Sequence, residues 1–112
     1  MFSFETDFSF KQAANATGTG NAQINFPYDF IRLFKTFTAT LTQKDTQSVW
    51  HVWYKINNGT STTLFRRSTS IDSALNTTVT VDLTNLTEDD TFTLGCSIGS
   101  GTGIITSHIK FE

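Results

Sequence analysis

Cysteine, proline and charge are all scarce in this chain. Cys96 stands alone among 112 residues, so no internal disulfide holds the fold together. It lies in Phe92-Thr93-Leu94-Gly95-Cys96-Ser97-Ile98 on the same parity as Phe92, Leu94 and Ile98, which reads as a small buried hydrophobe rather than a reactive thiol. Eight Lys and Arg against ten Asp and Glu give a net charge of −2 and a pI near 5.5. That balance argues against a phosphate-binding surface, and no nucleic-acid partner is expected. The one adjacent basic pair, Arg66-Arg67, reads as a solvated strand edge. No apolar run approaches the roughly 20 residues needed to span a bilayer, so no membrane insertion is expected. No charged leader with an apolar core opens the chain, which sets an expectation of synthesis in the cytosol. Asn15, Asn58, Asn76 and Asn85 each begin an Asn-x-Thr sequon, a triplet that arises easily by chance in so Asn- and Thr-rich a chain.

Aromatic side chains and alternation are what the chain has instead. Eleven Phe, two Trp and two Tyr make up 13% of it. Each ring can bury roughly 150–250 Å2, so a core fits within one domain spanning residues 1–112. The polar residues are mainly Thr, Ser and Asn, which suit strands and turns better than helices. Phe2, Phe4, Phe8 and Phe10 share one parity, with Ser3, Glu5, Asp7 and Ser9 on the other, the pattern of a strand with one buried face. Ala13 to Asn21 reads as a loop around Gly18 and Gly20. Ala22, Ile24 and Phe26 then alternate into Pro27, which ends a ladder for want of an N–H. Phe30, Ile31, Leu33 and Phe34 fit helical spacing as well as strand spacing, so the single short helix is expected within residues 28–34.

Phe37, Ala39 and Leu41 restore alternation, and residues 49–56 form a strand bulky on both parities. Asn57-Asn58-Gly59 predicts a tight type I′ turn at Asn58-Gly59, with positive φ at both, and a return strand over Thr62–Arg67. Leu75, Val79, Val81 and Leu83 carry the next alternation. A polar turn at Glu88-Asp89-Asp90 precedes a strand over 92–98, and the Gly-rich loop 99–103 leads into Ile105, Ser107, Ile109 and Phe111. The expected fold is therefore all-β: one antiparallel β-sandwich, jelly-roll-like, with about eight strands. Its core should contain Phe4, Phe8, Phe37, Leu41, Val81, Leu83, Phe92, Leu94, Ile98, Ile105 and Ile109.

Catalysis finds no foothold in the sequence. His51 and His108 are the only histidines, and neither has a Cys or a second His two to four residues away, so zinc spacing is missing. No nucleophile elbow surrounds any Ser. Glu88-Asp89-Asp90 lacks the alternating oxygens and the glycine of a calcium loop, and loop 99–103 lacks the lysine and following helix of a phosphate loop. The expectation is no enzyme, no cofactor and no metal. One cluster points to binding. Trp50 and Tyr54 share one strand face, while Trp53 and His51 take the other. Exposed rings would stack on sugars; rings turned inward would be core.

The closing third runs from Val79 to Leu83, through Asp90-Thr91-Phe92-Thr93-Leu94 and loop 99–103, to residues 104–111. It resembles the C-terminal strands of small jelly-roll domains on bacteriophage fibres, baseplates and capsid decorations. It is also similar to the ending of trimeric jelly rolls of the tumour-necrosis-factor type. The likeness is one of rhythm over roughly 30 residues and carries no diagnostic residue. It implies a non-enzymatic virion structural protein, made in the host cytoplasm, that forms a homo-oligomer (foremost a trimer) or docks on a capsid or tail partner. Phe2, at a strand end, joins Trp50, Trp53, Tyr54 and His51 as the expected contacts. The alternative is an extracellular carbohydrate-binding module that uses the strand through Trp50, Trp53 and Tyr54 on a cell-surface glycan.

Overall fold

In the computed structural model, strands of the first half of the chain pair in reverse order with strands of the second half. The structure describes residues 2–11, 20–99 and 103–112. Its strands are β1 (Phe4–Lys11), β2 (Gly20–Pro27), β3 (Thr36–Gln43), β4 (Trp50–Ile56), β5 (Thr62–Arg67), β6 (Thr78–Asp82), β7 (Thr91–Ile98) and β8 (Ile104–Phe111), with one helix, α1 (Tyr28–Ile31). β1 pairs with β8, β2 with β7, β3 with β6 and β4 with β5, all antiparallel. Pairing of β3 with β8 and of β4 with β7 then completes two four-stranded sheets, β1-β8-β3-β6 and β2-β7-β4-β5. A long hairpin closed at β4/β5 and rolled up on itself has this order, which is that of a jelly roll. The expected fold class is the one that forms. Of the expected loops, Gly20 and Asn21 belong to β2, while Asn15, Gly18 and the segment 100–102 lie outside the described residues.

Directly paired residues share a face of their sheet, so the alternation read from the sequence sorts into two inner rows. β3 and β8 contribute Phe37, Ala39, Leu41, Ile105, Ile109 and Phe111; β4 and β7 contribute Trp50, Val52, Phe92, Leu94, Cys96 and Ile98, all at 2% exposure or less. Burial pushes the Cys96 thiol up to about 12, so it packs as an inert hydrophobe. Leu83 is buried, and Phe8 and Val81 are half-buried against this core. Phe4 is a correction. It stands on the inner row of β1 yet is 41% exposed, because β1 is an edge strand and touches only β8 within its sheet. Leu75 departs as well: β6 starts at Thr78, and Leu75 is exposed in the connection before it.

Pro27 ends β2, and the chain turns through α1 to close one end of the sandwich. The helix spans four residues, and single turns carry the chain on to Phe34, with Leu33 N–H donating to Phe30 O at 3.2 Å and Phe34 N–H to Ile31 O at 2.9 Å. The β4–β5 turn also differs from the expected type I′. Asn57, not Asn58 or Gly59, holds the left-handed conformation, at φ 55°. Gly59 N–H donates to Ile56 O at 3.0 Å, so the turn centres on Asn57-Asn58 with positive φ only at its first central residue. Long-range bonds select that register. Asn57 Nδ2 donates to Asp90 at 2.7 Å, and Thr91 N–H donates to Asn57 Oδ1 at 2.8 Å.

Phe92 is fully buried, stacked on Tyr54, tilted against Phe26 and Phe37 and edge-on to Phe111. Phe92→Ala should therefore cost about 3–5 kcal/mol, the sum of lost transfer energy and a cavity that its neighbours cannot close. Urea unfolding measures this directly, and a loss below about 1 kcal/mol would contradict the packing described.

Candidate functional site

Strand β4 is where the sequence concentrated its binding signal, and the structure divides that strand cleanly. Trp50 and Tyr54 share the face of β4 that turns inward. Trp50 is 1% exposed, with its indole N–H donating to Asp45 O at 2.8 Å, and Tyr54 stacks on Phe92 with ring centroids 5.5 Å apart. Trp53 faces outward yet is only 7% exposed. Its partner across the β4–β7 ladder is Gly95, and a Cβ there would overlap the indole, so the ring lies directly on bare backbone. The Lys55 ammonium sits 5.6 Å from the Trp53 ring centroid, and the indole N–H donates to Ser97 Oγ at 3.4 Å. Neither tryptophan offers an open ring face, which corrects the expectation of Trp50 and Trp53 as contact residues and leaves the aromatic strand without a sugar platform. Phe2 remains accessible, 68% exposed beside Leu33 in a crevice of about 460 Å3.

His51 borders a cleft on the outer face, and Trp50 beside it contributes to the same wall. His51 pairs directly with Arg66 of β5 on the outer face of the second sheet. Between and beside them lies the cleft, of about 280 Å3, whose walls also include Val49, Thr63 and Ser68. Burial, and then the Arg66 charge, hold the His51 imidazole below its ordinary value, so it is neutral at pH 7. Arg66 is exposed and has no ion-pair partner among the described residues. Its neighbour Arg67 is engaged, donating to Ser48 O at 3.0 Å. Below the cleft, Asp45 knots the β3–β4 loop by accepting Gln47 N–H at 3.2 Å and Ser48 N–H at 2.7 Å. Burial alone would raise the Asp45 carboxyl; the Ser48 and Gln47 donors and the Arg67 charge outweigh it and hold it low. The sequence reading placed Arg66-Arg67 on a solvated edge and missed the His51–Arg66 pair. A register shift sets that pair: Val52 faces Phe65 while Trp53 faces Thr63, leaving Leu64 as the extra residue of a β5 bulge.

A second polar group lies on the outer face of the other sheet. His108 stands between Glu5 and Asp7 of β1, Nε2 at 2.8 Å from one carboxylate and Nδ1 at 2.9 Å from the other. Both ring nitrogens need a proton to make these bonds, so the geometry favours the imidazolium. The Glu5 bond first, then that of Asp7, raises the His108 pKa. The two carboxylates bracket the ring from opposite nitrogens and do not converge on a point. Among the described residues no group of three His, Cys, Asp or Glu is placed to hold a metal ion. The chain matches no family model and no curated protein.

Two measurements follow from these contacts. Gly95→Ala should lift the Trp53 indole off the sheet, shift its fluorescence to the red and cost about 1–3 kcal/mol; an unchanged emission maximum would refute the close approach. The His108 contribution has a definite sign. Its folded pKa lies above the unfolded 6.5, so its stabilisation is complete below pH 6.5 and is lost as pH rises through the folded value. His108→Gln should therefore flatten the stability profile as pH rises above 6.5, and a profile identical to that of the parent would refute the ion-paired geometry.

Proposed function

We propose that the protein is a non-enzymatic structural module of a virion, of the capsid-decoration, fibre or tail kind, working by association with copies of itself. The single observation that carries this reading is an open seam along one side of the sandwich. On that side the edge strands of the two sheets are β1 and β2. Their inner rows present Phe4 at 41% and Ile24 at 44% exposure, with Phe8 and Phe10 half-buried between the sheets. Exposed Phe2 and Leu33 extend this apolar strip at the α1 end. A row of inward-pointing aromatics left uncovered is what a subunit presents when a partner completes its core. The outer edge of β1 adds unpaired backbone groups that invite pairing. Jelly rolls serve as capsid and lectin domains, so the fold is compatible with this role, by analogy alone. A homotrimer is the favoured state, assembled after synthesis in a host cytoplasm.

Sedimentation velocity tests the reading. A discrete oligomer is expected, insensitive to salt because the strip is apolar, and dissociated by Phe4→Ser or Ile24→Ser. A monodisperse monomer at every accessible concentration would overturn it.

A further inference from the structure

We propose that the cleft beside His51 is a binding subsite for an acidic saccharide, with Arg66 holding its carboxylate or sulfate group. The subsite is independent of the assembly reading, and Trp50 contributes to its wall while staying buried. Three features of the cleft carry it. Arg66 stands directly opposite the neutral His51 imidazole across β4 and β5, exposed and with no ion-pair partner among the described residues, so its guanidinium is open to an anion. No carboxylate supplies that charge: Asp72, on the adjoining β5–β6 segment, is committed to Lys44 at 2.9 Å, and Asp45 to its own loop. The other polar groups on the walls are short hydroxyls. Thr63 is exposed on the outer face, and Ser68 Oγ accepts two backbone N–H groups, which leaves its own proton to donate.

The bland reading of Arg66 is a charge that keeps an edge strand from pairing with another chain. That task is already done here. Arg66 N–H donates to Ser73 Oγ, Ser73 N–H donates to Arg66 O at 2.9 Å, and Arg67 bridges Asp72, so the 68–73 segment covers this part of the β5 edge. The same cover prevents an acidic peptide from adding as a strand at this point. What remains open is the outer face of the sheet, where a guanidinium, a neutral imidazole, two hydroxyls and the exposed Val49 side chain converge. One anionic group on a hydroxyl-rich ring with apolar C–H faces matches that set.

Titration of 15N-labelled protein with 3′-sialyllactose tests the proposal, with lactose, inorganic sulfate and tetraglutamate as comparison probes. The expected result is fast-exchange shifts at the amides of His51, Thr63, Arg66 and Ser68, with an affinity around 1 mM, and none with lactose. Arg66→Gln should weaken binding about tenfold or more while leaving the rest of the spectrum in place. Arg32→Gln, which removes a cation at the other end of the sandwich, should leave it unchanged. Thr63→Val keeps the test open if Arg66→Gln fails to fold, and should weaken binding without abolishing it. Four results would each overturn the proposal: no shifts with sialyllactose, shifts away from the cleft, sulfate binding as tightly as the sugar, or tetraglutamate binding in preference to it.

Discussion

Phe111 touches six other rings, and through them nearly every part of the fold. Its centroid lies 4.9 Å from Phe26 of β2, 5.0 Å from Phe37 of β3 and 5.1 Å from Phe30 of α1. Phe34 stands at 5.6 Å, Phe92 of β7 at 6.2 Å and Phe4 of β1 at 6.5 Å. One side chain near the end of the chain thus joins both sheets, the helix and the first strand. Such a junction works only if the last strand is held in register. Lys35 and Thr36 N–H groups donate to Glu112 O at 2.7 and 2.8 Å, and Glu112 N–H donates back to Thr36 O at 3.1 Å, which fixes β8 against the start of β3. Since β1 pairs only with β8 within its sheet, its register depends on the same lock. Contacts of such large sequence separation close late, so this topology should fold slowly for its size.

Alternation made the sandwich legible because it reports which side of a strand is apolar, and that is a local property. It does not report whether anything lies on that side. Phe37 and Phe4 carry the same signal in the sequence; one is sealed by the facing sheet, and the other sits at an edge with its ring half in water. Trp53 fails in the opposite direction. Its parity places it outside, and only the cross-strand meeting with Gly95, more than forty residues away, lets the ring lie flat enough to be buried there. The turn at Asn57 was misplaced by one residue for a related reason. Asn-Gly is the stronger local hairpin signal, yet the bonds from Asn57 to Asp90 and Thr91 decide which residue turns left-handed. In each case a non-local partner overrode a local rule.

The two outer faces have different chemistry. On the first sheet, Thr40 and Thr78 bond hydroxyl to hydroxyl at 2.9 Å and Thr38 and Thr80 at 3.4 Å, a ladder that satisfies its own polar groups. His108 is likewise satisfied by Glu5 and Asp7. On the second sheet Arg66 has no ion-pair partner among the described residues, and it stands beside a concavity instead of on a flat face. A satisfied surface has little to gain from a ligand. An unsatisfied one gains the full charge-assisted bond, and for that reason the second sheet is the better place to look for recognition.

The surfaces proposed for assembly and for recognition lie on opposite margins of the molecule. In the sheet β2-β7-β4-β5, the open seam is at the β2 edge and the cleft lies over β4 and β5, with β7 between them. Subunits joined along the β1 and β2 side would bury the exposed aromatics and leave every cleft facing outward. That geometry matters because a shallow cleft with one charged anchor binds a sugar weakly on its own. Repeating it around a symmetric assembly converts weak contacts into a stable attachment wherever the glycan spacing allows two clefts to engage at once. The seam and the cleft are separate features of one chain, and the value of the second grows with the first.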